Sequence, residues 1–595
     1  MPLPRGRAAL LVVVTWAALT ALSAGVHAAR APTRRTSTPS VPGAPSLRRA
    51  VVGKEQPAVP NDASSFQVPP RAVGSKTMAK VVSPGVPNLQ LNMVQQSGPI
   101  LTKKDKAAGF SWLGTNSIGV AGLPGWTPPD PALCAGNGYV VEVVNSFISI
   151  YNTNGTRLLF NELDAFLGGD ALWGSIVDTS QEYALAAIDP NCAWDPTTRR
   201  WFFSCFLGFN DPPYLVVSAS KGEDPAGAWS HWVIDPNTPT TPPPEGLFPD
   251  YPQFQVYPGY MLLTTNEFSF TEDAFFGTNL YVFPTTGGLL SDADSFDFSV
   301  FPRLGVFDNG TAASAGDWNL DGVQGYASYH VWPAALAVSG PSEAAGDPGV
   351  IYLAEQSSTS PALNVWTLKG APAAVAGGGA AALSLDVVVL PFKKGYVTPP
   401  LEATQKAGAC RGLKLDSNGP YATGAALANG GRDLHVVATA GVQRKSGPTD
   451  VGVAWFRVAV GLGGGTKPPK LKKQRILSAP EDGDNLIFPG IGLDPAGKFG
   501  LVVYSVTGTN YYPSPGFTVI RGGKPKKGVN VVATGVAQAC NQYKRWGDYQ
   551  TVRLDEEGNF YGTAEWIASQ ESEALSFYWA TRIMKFTPED LKQWN

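Results

Sequence analysis

The sequence predicts an all-β fold, a β-propeller of about seven blades, and three observations carry that expectation. The composition joins 66 Gly, 51 Pro and 11% aromatic residues to only 16% charged ones, the balance of many short strands and tight turns, not of a long helical bundle. From about residue 110 onward, short apolar runs alternate with Gly, Pro, Asn and Asp, and almost no helical period survives. Similar strings recur about seven times at a spacing of roughly sixty residues, as in propeller-type arrays. One such unit cannot bury both its faces, and radial stacking of units leaves only short protected edges. Six blades also fit, although the unit count favours seven. Two stacked β-sandwiches and a β-helix are the alternatives, but the repeat is too long for β-helix coils and lacks an immunoglobulin-like Cys/Trp/Cys pattern.

Taken in order, Arg5 and Arg7 precede the apolar run ALLVVVTWAALTALSAGV, and Val26 and Ala28 supply the small residues a signal peptidase favours. Residues 1–28 therefore read as a secretory signal peptide, with an uncleaved anchor or an organelle transit peptide as alternatives. Residues 29–90, rich in Pro, Ser, Thr, Arg and Ala without a period, read as a flexible spacer. Residues 91–595 are the propeller. No later run is long enough to cross a bilayer, so the expected mature product is soluble, outside the cell or in an organelle lumen, and not membrane-bound.

The units read as strand, tight turn, strand. Three turns are variants of one another, WDPTTRRWFF, LDPAGKFGLVV and LDEEGNFYGTA, each with Asp at its start to close a hairpin by side-chain-to-backbone bonds. Thr587, Pro588 and the acids after them predict a short C-terminal helix. Folding DPNCAWDPTTRRWFFSC at Thr198 and Arg199 sets Cys192 nearly opposite Cys205 and predicts that disulfide, leaving Cys134, Cys410 and Cys540 over. The sequons at Asn154 and Asn309 lie on turn-like sequence open to glycosylation.

The strings PPDPALCAGNGYVVEVVNSFISIYNTNGTRL, AIDPNCAWDPTTRRWFFS, FPDYPQFQVYPGYMLLTTN, FPGIGLDPAGKFGLVVYS and RWGDYQTVRLDEEGNFYGTAEW, in that order, resemble a group of secreted sialidase-like β-propeller proteins of unassigned activity. The resemblance covers most of residues 126 to 585 and implies the fold more than an activity. Sialidase chemistry needs an arginine cluster and a Tyr/Glu pair. Arg303, Arg411 and Arg545 are candidates for the first, but no spacing selects the second, and no intact Asp-box occupies the turns.

Asp130, Asp189, Asp250 and Asp548 each precede the first strand of a unit, so the fold gathers them at one mouth of a central channel. Such acids hold a hard cation, supply the two carboxylates of glycoside hydrolysis, or fix the backbone of each turn. Tyr251, Arg545, Trp546 and Tyr549 stand beside them as ligand-binding candidates. Asp317, Asn319 and Asp321 in DWNLDG match the front half of a calcium loop, with Ser328 where the bidentate Glu belongs. Calcium is the one cofactor the sequence suggests. No GxSxG, HExxH or Walker-type string occurs, and His231, His330 and His435 stand singly as core or rim residues. A net charge of −3 excludes a nucleic-acid footprint, and the basic runs at 103–106, 467–475 and 524–527 read as solvated loop tips. The expected function is an extracellular binding or matrix module whose acidic and aromatic rim meets a glycan or protein partner, the alternative being a secreted glycoside hydrolase using the mouth carboxylates.

Overall fold

A computed structural model describes residues 97–594 apart from several internal stretches, the longest being 118–126, 168–185, 235–246, 314–324, 337–349 and 372–383. Seven sheets form the blades of a β-propeller. Blade 1 runs from Ala132–Gly136 to Arg157–Glu162, blade 2 from Ala186–Asp195 to Trp229–Ile234, and blade 3 from Leu247–Tyr257 to Ser299–Phe307. Blade 4 runs from Trp332–Pro333 to Ser384–Pro391, blade 5 from Ala422–Ala428 to Lys470–Leu477, and blade 6 from Asp484–Leu493 to Asn530–Val531. The first strands touch one another in cyclic order and so line the channel. After Pro333 the chain leaves blade 4, and Ala335–Leu336 runs parallel to Ala422–Ala428 of blade 5.

Blade 7 closes the ring with strands from both ends of the described chain, in the order Ser97–Leu101, Ala107–Asn116, Ala580–Phe586, Phe560–Trp566, Val552–Leu554. The joint with blade 1 is polar and buried. Glu142 accepts hydrogen bonds from Thr115 N and Oγ1, both at 2.8 Å, and from Thr563 Oγ1 at 3.0 Å. Burial raises its pKa, and these donors offset part of the cost of holding a carboxyl in the core.

Between blades the contact is apolar, as alternating strands require. Phe202, Leu215, Val217 and Trp232 of blade 2 pack with Phe254, Met261, Leu263 and Tyr281 of blade 3, each such side chain stabilising the fold by about 2 kcal/mol. The Asp-led turns close as read. Asp195 accepts from Thr197 N and Thr198 N, Asp494 from Phe499 N, and Asp555 from Glu557 N, Asn559 N, Asn559 Nδ2 and Tyr561 OH.

That turn chemistry also corrects the disulfide. The Asp195 bonds centre the hairpin one residue earlier than Thr198 and Arg199, so Cys192 pairs across the sheet with Phe203, not Cys205. Cys192 instead bridges to Cys134 on the first strand of blade 1, and Cys410 bridges to Cys540; Cys205 is buried and takes part in neither bridge. The basic run at 467–475 is corrected as well, because Lys470–Leu477 is the outer strand of blade 5 and not a loop tip. Among the described residues the α-helices are α1, Leu163–Phe166, and the expected C-terminal α2, Pro588–Gln593, where Thr587 and Asp590 form a capping box. Among the described residues no helix is long and apolar enough to cross a membrane.

Candidate functional site

The first strand of most blades is preceded or interrupted near its start by a kink in which one residue takes a left-handed backbone. The residues are Asp130 (φ 48°), Asp189 (φ 52°), Tyr251 (φ 59°), His330 (φ 55°) and Phe488 (φ 53°), with Gly547 (φ 39°) in blade 7. In blades 2, 3 and 6 the kink is a β-bulge. Asp tolerates this conformation, whereas Tyr, His and Phe hold it only where the surrounding structure over-determines it. The blade repeat therefore aligns Asp130 and Asp189 with Tyr251 and Gly547, so Asp250 and Asp548 stand one residue out of register with the acids they match in sequence.

Side-chain acceptors satisfy these kinks and join one blade to the next. Asp130 Oδ1 accepts from Asp548 N at 2.6 Å, and Asp130 Oδ2 from Asn145 Nδ2 at 2.7 Å. Asn145 Oδ1 accepts from Asp189 N at 2.7 Å, and Asp189 Oδ2 from Tyr251 N at 3.0 Å. The tyrosines add cross-channel links, Tyr251 OH donating to Asp548 O and Tyr549 OH to Pro190 O. Four of the acid and tyrosine candidates, Asp130, Asp189, Tyr251 and Tyr549, are thus buried and architectural as well as central. Among the described residues no group of three or more His, Cys, Asp or Glu is placed to hold a metal.

What the mouth presents to solvent is narrower. Asp250, Asp548 and Arg545 are part-exposed, with Arg545 and Asp548 ion-paired and Asn418 Nδ2 donating to Asp548 Oδ1 at 3.3 Å. Beside them lies an aromatic stack that single-residue reading missed: His330 stacks at 4.0 Å on both Tyr251 and Tyr329, and Tyr421 packs on Tyr329 at 4.6 Å. Trp546 is not at the mouth. It is 3% exposed in the core between blades, its Nε1 donating to Ser505 Oγ at 3.1 Å.

Burial without enough counter-charge keeps protons on this site. Asp250 is pushed up to about 7 by burial and by the Asp548 carboxylate, while a side-chain hydrogen bond with Asp189 pulls it back. Burial, with Asp250 and Asp548 nearby, raises Asp189 well above the usual carboxylate range. Asp130 is raised by burial and by Asp548 and Asp189. Burial raises Asp548 too, but Arg545 opposes the shift. His330 is driven down to about 3 by burial and by Arg545, and is neutral. A further acid missing from the sequence reading, Glu565, lies fully buried against Gly547 with both carboxyl oxygens lacking a hydrogen-bond partner, and burial raises its pKa.

Arg545 is held by a clamp of two excursions. The Cys410–Cys540 disulfide joins them, Gln405 and Ala539 exchange two hydrogen bonds of 2.9 Å, and Asp416 N donates to Lys544 O at 2.8 Å. A cavity of about 90 Å³ lies away from the mouth acids at the far end of the first strands, lined among others by Cys134, Trp194, Tyr257, Ala426, Leu493 and Asp555. Asp317, Asn319, Asp321, Asn309 and Arg411 lie outside the described residues. Asn154 is exposed on a hairpin of blade 1.

No known protein family and no curated protein matches the chain. Its fold is similar to solved structures at low identity. The hemagglutinin-neuraminidase ectodomain of parainfluenza virus 5 aligns at 10% identity and a TM-score of 0.34, over 71% of this chain and 84% of that one. The phage phi92 endosialidase aligns at 10% and 0.33 over 65% of each chain, and polysaccharide lyase Uly1 at 10% and 0.29 over 79% and 92%. At this distance no residue correspondence is drawn.

Proposed function

We propose that the protein is an extracellular binding module whose propeller mouth takes a glycan. The observation that supports it is the meeting, at one mouth, of Asp250, the Arg545–Asp548 pair and the part-exposed rings of Tyr329 and Tyr421. Together they offer donors, acceptors and aromatic edges, the mixture a polar ring compound needs in a largely preformed site. The signal-like N-terminus and the two disulfides fit an oxidising compartment. Exposed Asn154 is a glycosylation acceptor on the same reading.

One observation favours hydrolysis as a second reading. A carboxyl pushed up to about 7 beside a second carboxyl, the Arg545-paired Asp548, is the kind of pair a general acid works in. Both readings are tested by applying the purified protein to glycan arrays and chromogenic glycosides, with calcium and with chelator. The binding module predicts saturable binding without turnover, lost at least about tenfold in Arg545→Ala and Asp250→Asn, about the worth of one charge-assisted contact. Turnover abolished by Asp250→Asn would replace the module by a hydrolase, and no binding to any array would sink both. If calcium belongs to the DWNLDG segment, chelation lowers Tm and Asp317→Ala mimics it.

A further inference from the structure

The three segments that gather on the outer edge of blade 5 are far apart in sequence. Lys470–Leu477 is the last strand of that blade, its outer side unpaired by any other described strand, and Lys470, Lys472 and Lys473 are exposed along it. A bulge makes Lys472 the extra residue, since Arg457 pairs with Lys473 and Val458 with Leu471. From blade 4, Lys393 docks on the same edge. Its Nζ donates to Lys472 O at 2.8 Å, and its backbone N to Gln474 Oε1 at 2.8 Å. From blade 6, the hairpin closed by Arg521 N to Lys524 O and Lys526 N to Val519 O brings exposed Lys524 and Lys527, tied to the strand by Arg475 Nη1 donating to Pro525 O.

Among the described residues none of Lys393, Lys470, Lys472, Lys473, Lys524 and Lys527 joins an ion pair, although pairs form elsewhere on the surface, as between Arg199 and Glu223 or Lys544 and Glu402. Lysines on an edge strand also prevent sheet-to-sheet pairing. That role explains the strand lysines but not the fixing of two further basic segments beside them on a chain of net charge −3.

We propose that this strip binds a linear acidic polysaccharide, through sulfate or uronate groups spaced along an extended chain. Its shape and chemistry select that partner. The exposed lysines follow one another along a single strand, so they form a row one strand wide. Among the described residues it offers no helix to enter a groove of DNA and no exposed aromatic to stack on bases. Phe392, next to Lys393, is stacked on Phe456 of blade 5. Nor is there an apolar face for insertion into a bilayer. Mobile lysine point charges on a ridge suit a flexible polyanion bound by counterion release.

The test is binding of the full chain to immobilised heparin and to polygalacturonate, one arm for each acid group, at rising salt. Retention on either that falls steeply with salt is expected. Lys470→Ala/Lys472→Ala/Lys473→Ala should elute at clearly lower salt and bind at least about tenfold more weakly at 0.1 M salt, with Tm unchanged. Lys106→Ala, which removes an exposed lysine on the blade 7 hairpin, should match the wild type, which ties the effect to this strip. Equal elution of the triple variant and the wild type overturns the proposal. So does flow-through of the wild type on both supports at 50 mM salt, or tighter binding to duplex DNA or phosphatidylserine vesicles than to either polysaccharide.

Discussion

Tyr251 shows what one residue can carry and what it costs. It sits at φ 59°, stacks on His330, donates to Asp548 O and receives the reach of Asp189 through its own N–H. Its neighbour Asp250 gives the pH prediction. Asp250 has a folded pKa of about 7 against about 4 unfolded. Its contribution to stability is complete below about 4 and is lost as pH rises through about 7. Asp250→Asn removes that loss, so its Tm relative to wild type should be higher at pH 8 than at pH 4.5 by calorimetry; a difference independent of pH refutes the buried-acid account. Glu267, pushed up to about 8 by burial, should behave alike as Glu267→Gln over a window that extends to higher pH. The sequence made the acids of the mouth legible by their place before each strand, but not their register. Matching Asp to Asp set Asp250 beside Asp189, whereas the shared feature is the left-handed residue, followed by Pro at Pro131, Pro190, Pro252 and Pro489. Glu565 and Asn145 gave no local sign at all, because their roles are made by strands from other parts of the chain.

Among elements, the clamp that carries Arg545 has separable effects. Cys410→Ser/Cys540→Ser frees the two excursions while leaving every blade sheet paired, so ligand affinity should fall by more than the fold is weakened, read as titration against Tm. The Cys134–Cys192 bridge instead spans two blades and closes 58 residues, and its loss should cost about 4 kcal/mol of stability on the loop-entropy account. A non-reduced peptide map should link the Cys134 and Cys192 peptides, and Cys205→Ala should leave that link in place. The Asp-led hairpins were readable from composition alone, since Asp, Gly and their spacing encode a local bond pattern. Asp555→Ala, which strips four such bonds, should lower stability by about 2–4 kcal/mol. The disulfides were less readable, because a one-residue error in a turn moves every cross-strand neighbour.

At the level of the whole molecule, seven units and their order were legible because each repeats the same local chemistry. The closure was not. Ala107–Asn116 pairs with Ala580–Phe586 across almost the whole chain, and nothing local to either strand announces the other. Removing residues 97–116 should leave the edge of Ala580–Phe586 bare and Glu142 short of two donors. The expected product aggregates or loses its cooperative transition, by size-exclusion chromatography and calorimetry; an unchanged monomeric Tm would contradict the closure.

The shared seventh blade also sets an order of events during synthesis. Ribosomes deliver Ala107–Asn116 well before Ala580–Phe586, about half a minute to a minute and a half apart at 5–20 residues per second. Through that interval the early strand has only Ser97–Leu101 to pair with, and six growing blades hold a ring that cannot shut. A chaperone or a neighbouring ribosome's product has that long to capture the exposed edge, so the protein's yield in a cell should depend on how the early strand is sheltered until its later partner arrives.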